Sequence, residues 1–189
     1  NGDPSGEGTG KFSYGIYTGE WENRKFHGKG ILELKNGERY EGEWVNGKKQ
    51  GKGTFKGTEG NEYVGNFVND QMQGKGTLKG PDGTRYTGSF FNGTMHGQGA
   101  FIGPDGSEMR GTWTNGKQVG EITNIWPNGS RYVGGIGENG KNGYGVFTGV
   151  DGEKYEGEYK DNERTGHGTL TLPDRSVYIG ELRNGKKHG

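Results

Sequence analysis

The chain has 189 residues, of which 44 are glycine and none is cysteine, and its 24 basic side chains balance its 24 acidic ones. The lack of cysteine excludes disulfides and thiolate zinc sites, and a neutral chain is not typical of a nucleic-acid-binding protein. Hydrophobic residues make up 25% and aromatic residues 12% of the chain, so we predict a thin fold in which aromatic rings supply most of the buried area.

A repeat of 23 residues organises the chain. Residues 1–16 are predicted to be an incomplete N-terminal repeat, with Gly6-Glu7-Gly8 in the register of later glycines, and residues 17–189 to be tandem repeats. The last repeat is truncated at Gly189, so we expect the chain to be part of a longer repeat protein. The eight repeats begin at Tyr17, Tyr40, Tyr63, Tyr86, Met109, Tyr132, Tyr155 and Tyr178.

Each repeat is predicted to be a β-hairpin. The pattern from Tyr40 through Gly42 to Trp44 has period two, which indicates a strand with these side chains on one face. The second half alternates likewise from Gly51 to Phe55. Asn-Gly and Asp-Gly dipeptides, which favour tight hairpin turns, lie between the halves and between the repeats. The predicted fold is therefore all-β, an elongated, twisted, single antiparallel sheet of tandem β-hairpins that forms an open rod.

Repeats five and six depart from this pattern. Met109 replaces the tyrosine, Ile122 replaces the second glycine of the later strand, and Asn124 stands where most repeats have leucine or phenylalanine. Ile136 replaces the tryptophan in the next repeat. We predict that this stretch packs differently. Neutral drift in a tolerant array and a bend, bulge or contact site both explain it.

Catalytic and metal-binding chemistry is not predicted. His27, His96 and His188 occupy one repeat position but are three or four repeats apart, so they cannot share a metal ion. Glu41 and Glu43 are spaced like a pair of glycosidase carboxylates, yet cross-strand charge pairing on a solvated face explains them better. We therefore expect no enzyme activity, no cofactor and no metal site in this chain.

The repeat resembles the MORN (membrane occupation and recognition nexus) repeat, whose Tyr-x-Gly-x-Trp-x-x-Gly-x-x-x-Gly-x-Gly pattern it matches from Tyr40 to Gly53. The resemblance implies an elongated sheet with an aromatic-lined concave groove and a scaffold or adaptor role. It also implies a cytoplasmic setting, either cytoskeletal, ciliary or peripheral to a membrane. The implied partners are protein segments, further copies of the array and acidic lipids.

The aromatic stripe is the predicted partner-binding groove. A single sheet has no second layer, so we expect rings on its aromatic face to be partly exposed, and contiguous exposed apolar patches mark interaction sites. The favoured function is a non-enzymatic scaffold that binds an extended or helical protein segment. The predicted groove residues are Tyr17, Trp21, Tyr40, Trp44, Tyr63, Phe67, Tyr86, Phe90, Trp113, Tyr132, Tyr155 and Tyr159.

Two alternatives remain open at this stage. One long edge is mildly basic, which favours recruitment to anionic lipids or phosphoinositides, although solvated turns explain scattered lysines better. The chain also fits the regulatory array of a larger enzyme whose catalytic domain lies elsewhere. The residues of the predicted lipid edge are Lys25, Lys48, Lys49, Lys117, Lys186 and Lys187.

Overall fold

The fold was analysed in a computed structural model that describes residues 5–188. No helix occurs in this range, and its 17 strands belong to one antiparallel sheet in which strands pair with their neighbours in the chain. The prediction of an all-β antiparallel sheet of tandem hairpins is confirmed. The chain divides into two compact units, one ending at Met95 and the other beginning at His96, and each is described by itself.

The first unit contains eight complete strands. They are β1 (Gly6–Lys11), β2 (Gly15–Glu22), β3 (Lys25–Leu34), β4 (Arg39–Val45), β5 (Lys48–Lys56), β6 (Glu62–Val68), β7 (Gln71–Lys79) and β8 (Arg85–Phe91). β1 pairs with β2 so that Gly8 lies opposite Gly19, as Gly30 of β3 lies opposite Gly42 of β4. Residues 6–11 thus stand where the second strand of a preceding hairpin would stand. The predicted incomplete repeat lies outside the described residues at positions 1–4.

The second unit holds most of β9 and all later strands. They are β9 (Thr94–Ile102), β10 (Glu108–Thr114), β11 (Lys117–Ile125), β12 (Arg131–Gly137), β13 (Gly140–Thr148), β14 (Lys154–Lys160), β15 (Glu163–Thr171), β16 (Val177–Arg183) and β17 (Lys186–His188). Ile122, Tyr132, Tyr155 and Leu182 are among the side chains that form its buried core.

The strand register stacks like residues in columns across the sheet. In the first unit Tyr40 lies opposite Phe55 on one side and Leu32 on the other. Gly42 lies opposite Gly53 and Gly30 in the same way. Bulky side chains and glycines therefore form adjacent rows on one face, which we call the aromatic face.

Two kinds of turn alternate along the chain. Within a repeat the strands join through two residues with positive φ, such as Asn46 (52°) and Gly47 (81°), as type I′ turns require. Between repeats the loop has three residues, and the backbone N–H of Leu34 donates to Glu38 O at 2.8 Å across it. The αL residue of that loop is Gly37, with φ 93°. The inter-repeat connections are thus one residue longer than the tight turns predicted for them, because a type I turn needs an αL residue to close the hairpin.

A bulge recurs in the second strand of the hairpins. In the repeat that begins at Tyr40, the register shifts between Gly42 and Glu43, which leaves Gly51 and Lys52 without partners on β4. Gly51 takes φ 61° at this point. The Glu43 carboxylate accepts a hydrogen bond from the Lys52 backbone N–H at 3.2 Å. The bulge therefore explains the first of the two repeated glycines.

Candidate functional site

Tyrosine rings lie against paired glycines on the aromatic face. A Cβ added at Gly53 would lie 2.4 Å from the Tyr40 hydroxyl and 2.5 Å from its ring, so only glycine leaves room beneath the ring. The Tyr40 hydroxyl donates to Glu43 O at the bulge at 3.0 Å. This arrangement satisfies a backbone carbonyl that the bulge removes from the strand ladder. The same bond from tyrosine to the carbonyl three residues later is made by Tyr17, Tyr63, Tyr86, Tyr132, Tyr155 and Tyr178.

The rings also pack edge-to-face from one repeat to the next. In the first unit the Tyr40 centroid lies 4.9 Å from that of Trp44 and 5.0 Å from that of Phe67. In the second unit Tyr159 lies 5.2 Å from Tyr132 and 5.3 Å from Tyr155. Each ring is thus shared between two repeats, and the pairs stabilise the array beyond the buried area alone.

This packing buries the residues predicted to line the groove. The expectation that the rings would be partly exposed is wrong for eleven of the twelve, and Trp21 alone among them is half-buried. The physical reason is that a tyrosine ring folds down over glycine backbone while neighbouring rings cover its edges. Burial raises the pKa of Tyr63 to about 12, which agrees with a structural role.

The accessible part of the aromatic face comes from the second strand of each hairpin. Phe26 stacks on the Tyr17 ring at a centroid distance of 3.8 Å, and we call its repeat position the covering column. The next apolar position on the same strand forms the Leu/Phe column. The covering column is Phe26, Lys49, Met72, Met95, Gln118, Lys141, Arg164 and Lys187. The Leu/Phe column is Leu32, Phe55, Leu78, Phe101, Asn124, Phe147 and Leu170.

Nearly all of these side chains are half-buried, so a partner would meet them before it met the tyrosines. Neither column is among the predicted groove residues. The signal was present, because Lys49 and Phe55 both lie an even number of residues from Gly53 and alternation places them on its face.

Two lysines of the predicted lipid edge belong instead to the aromatic face. Lys49 Nζ lies 4.7 Å from the Phe55 centroid and 5.3 Å from that of Tyr40. Desolvation lowers the pKa of Lys49, and nearby Asp70 opposes that shift. Lys187 Nζ lies 5.1 Å from the Tyr178 centroid. The strand pairing explains both positions, since Lys49 lies opposite Trp44 and Lys187 lies opposite Leu182, the residue at the equivalent repeat position. The remaining residues of that edge are exposed at turns, namely Lys25, Lys48, Lys117 and Lys186.

The opposite face is mainly polar, and the candidate groups on it contact neighbouring residues. Arg39 Nη2 donates to Glu41 Oε2 at 2.8 Å, whereas Glu43 is held by the bulge backbone. His27 Nδ1 lies 3.0 Å from Glu22 Oε2. Within residues 5–188, no three His, Cys, Asp or Glu side chains gather as a possible metal site. A helix that could cross a bilayer is likewise missing from that range.

The irregular repeats exchange one bulky side chain for another. Ile122 takes the position of the second glycine and is buried, with 2% of its surface exposed. It lies opposite Gly111 and Gly134. In other repeats a tyrosine ring would exclude this side chain, but Met109 stands where that tyrosine would be. Isoleucine thus fills space that the missing ring leaves, and the two departures compensate for each other.

The MORN repeat family model matches most of the chain. The matched segments are 17–39, 40–62, 63–85, 86–108, 110–131, 138–154, 155–177 and 178–189. They agree with the eight predicted repeats and omit Met109 and residues 132–137, which lie in the irregular stretch. Among curated protein sequences, none matches this chain.

Solved structures that are similar to this chain include domains of SAS-4 and CPAP. The TCP domain of Drosophila melanogaster SAS-4 with a proline-rich motif of Ana2 is 14% identical, with a TM-score of 0.50 over 81% of this chain and 84% of that one. The TCP10c domain of Drosophila melanogaster Sas-4 is 12% identical, with a TM-score of 0.47 over 81% and 92%. The TCP10 domain of Danio rerio CPAP with a STIL peptide is 16% identical, with a TM-score of 0.38 over 80% and 78%.

Proposed function

Since this chain belongs to the MORN-repeat family, we propose that it is a non-enzymatic scaffold that binds a protein segment along the aromatic face. The observation that carries this proposal is the line of half-exposed apolar side chains in the Leu/Phe column. No second layer of described residues packs over Leu32, Phe55 and Leu78 in the first unit. An exposed, contiguous apolar strip is typical of a surface that meets a partner.

The spacing of these side chains suits a protein segment. Leu32, Phe55 and Leu78 lie on alternate strands, so neighbours are about 10 Å apart at the usual strand spacing. An extended chain covers that distance in about three residues, and a helix covers it in about seven. An apolar residue at either interval would therefore reach successive members of the column, and both extended and helical partners fit.

The buried tyrosines support this surface from below. Tyr40 and Tyr63 hold their hairpins rigid through ring packing and hydroxyl bonds, so the second-strand side chains are presented on a preorganised sheet. Rigid presentation lowers the entropy lost on binding. The Drosophila SAS-4 domain, whose fold is similar, was solved with a proline-rich motif, which is compatible with a peptide-binding role here. The proposed setting is the cytoplasm, at cytoskeletal or ciliary assemblies.

A matched pair of substitutions tests the proposal. Phe55 lies on the aromatic face, whereas Val64 is 45% exposed on the opposite face of the adjacent strand. The partner segment is first identified by cross-linking to the intact chain, and its affinity for the variants is then measured by calorimetry. Phe55→Glu should weaken binding at least tenfold, since it places a charge at an apolar anchor, whereas Val64→Glu should change it less than twofold. Equal losses in the two variants would refute the assignment of the face.

Recruitment to anionic lipid remains the second candidate. Its support is the four exposed turn lysines Lys25, Lys48, Lys117 and Lys186. Lipid binding through these charges should appear as sedimentation with phosphatidylserine vesicles at low salt and should disappear at high salt. If the chain stays in the supernatant at low salt, this candidate is dismissed.

A further inference from the structure

The covering column changes its chemistry between the two units. In the first unit it carries Phe26, Lys49, Met72 and Met95, so apolar side chains predominate. In the second unit it carries Gln118, Lys141, Arg164 and Lys187, which are all polar or cationic. The same repeat position therefore presents hydrogen-bond donors in the second unit and mainly apolar side chains in the first.

Lys141 lies in a cage of four aromatic rings. Its Nζ is 5.1 Å from the Trp126 centroid, 5.0 Å from Tyr132, 5.7 Å from Phe147 and 5.6 Å from Tyr159. Cation–π contacts of this kind attract the ammonium group to the ring faces. They leave its three N–H donors without an acceptor among the described residues.

The charges around Lys141 do not neutralise it. Desolvation lowers its pKa, and the neighbouring Arg164 lowers it further, with no carboxylate acting in the other direction. Arg164 is itself paired with Glu153. Lys49 occupies the same repeat position in the first unit, but there Asp70 and Glu38 favour the charged form. Lys141 is thus a partly desolvated cation that no acid accompanies.

Buried polar atoms of the second unit also lack partners. The Tyr159 hydroxyl is buried beside the Arg164 guanidinium without hydrogen-bond geometry, in a residue that is 4% exposed. Gln118 Nε2 is buried without a hydrogen bond among residues 5–188. An unsatisfied buried donor costs about 1–3 kcal/mol, so these atoms destabilise the second unit in its free state.

We propose that Lys141 and its aromatic cage bind a side-chain carboxylate of an acidic protein segment. This inference rests on the proposed function, because the segment is the one that lies along the aromatic face. One free cation matches one monovalent carboxylate, whereas phosphorylated motifs are recognised by clusters of arginine. Membrane surfaces likewise need four to eight clustered basic residues, and Arg164 is already neutralised.

The partner is therefore expected to place Asp or Glu against Lys141 in the second unit. The aromatic walls would keep water from the ammonium–carboxylate pair, which strengthens it relative to an exposed ion pair. Charge complementarity of this kind fixes the register of the segment on the second unit.

The test uses the intact chain and two fluorescein-labelled decapeptides, one alternating Leu and Glu and the other alternating Leu and Gln, followed by fluorescence polarisation. The Glu peptide should bind about tenfold more tightly, as expected for a hydrogen bond to a charged group. Lys141→Met should abolish this preference while the affinity for the Gln peptide is unchanged. Methionine suits the site, since Met72 occupies the same position in repeat three. Lys141→Arg should retain the preference.

Lys160→Met is the matched control, because Lys160 is exposed at the end of β14 and contacts no ring of the cage. A preference for Glu that is absent in the native chain, or that survives Lys141→Met, would overturn the inference. The inference would also be overturned if phosphatidylserine vesicles or inorganic phosphate, in modest excess, displaced the bound Glu peptide from the chain. Failure of the Glu peptide to bind would overturn it as well. The proposed function is judged separately, by the effect of Phe55→Glu on the identified partner.

Discussion

Repeat five provides a design for a reciprocal substitution in a regular repeat. Met109 and Ile122 stand where Tyr63 and Gly76 stand in repeat three. A Cβ at Gly76 would lie 2.5 Å from both the Tyr63 ring and its hydroxyl. We expect Gly76→Ile and Tyr63→Met to be destabilising alone and to compensate when combined, because the isoleucine then occupies the space of the ring.

The magnitudes follow from the contacts. Tyr63→Met removes the hydroxyl bond to Asn66 O, at about 1 kcal/mol, and edge-to-face pairs with Phe67 and Phe90, at about 0.5–1.5 kcal/mol each. The expected loss is about 2–4 kcal/mol. Gly76→Ile overpacks a buried site and should lose about 1–3 kcal/mol or more. The double variant should recover about 1–3 kcal/mol relative to the sum of the single losses.

Amide hydrogen exchange over β6 and β7 is the suitable assay, because tandem repeats open locally and need not unfold in two states. Lys75→Ala, on the same strand and exposed, serves as a control that should change the opening free energy by less than about 0.5 kcal/mol. If the double variant loses as much opening free energy as the two single variants together, the steric explanation of the glycine is refuted.

Four further outcomes are expected. Tyr63→Phe should lower the local opening free energy by about 1 kcal/mol, because Asn66 O loses its donor; unchanged exchange would mean that water replaces the hydroxyl. Burial raises the Tyr63 pKa from 10.0 to about 12, so its contribution to stability is fully present below about pH 10 and is lost as the pH rises through 12. Urea midpoints measured across that range should therefore fall, and a flat profile would contradict the burial. Gly47→Ala should destabilise its hairpin by about 1–2 kcal/mol, since Gly47 has φ 81° and open space beside it; an unchanged thermal midpoint would show that the turn relaxes. Amides of β11 should exchange as slowly as those of β13, because Ile122 is buried; faster exchange would restore the case for a joint in repeat five.

The repeat and its hairpins could be predicted from the sequence because both depend on local spacing. The 23-residue period fixed where Tyr40, Gly42 and Trp44 fall, and period-two alternation placed them on one face. The family match and the strand register agree with those predictions. Dipeptides such as Asn46-Gly47 also predicted their turns, whereas Asn23-Arg24 adopts the same positive φ values without a glycine signal.

Ring exposure could not be predicted from the same patterns. Alternation tells which face a side chain occupies but not the direction in which it leans, and Tyr40 leans onto Gly53 rather than outward. Lys49 was predicted as a turn residue, although alternation carried through the turn places it opposite Trp44. Lys141 could have been found by the same count. Its unpaired ammonium depends on the charges of other strands, which no spacing in one strand reveals.

In a regular repeat, such as the one that begins at Tyr40, the tyrosine, the glycine beneath it and the bulge carbonyl that it binds all lie within one 23-residue copy. A duplicated copy therefore keeps these stabilising contacts, and the array can lengthen or shorten by whole hairpins while the contacts within the remaining repeats stay unchanged. Neighbouring copies are instead coupled through the rings that they share. Replacing Trp44 by phenylalanine, which repeat three has at Phe67, would change the packing of both Tyr17 and Tyr40. Contacts within a copy thus allow repeats to be added or removed, whereas ring contacts between copies make each repeat depend on its neighbours.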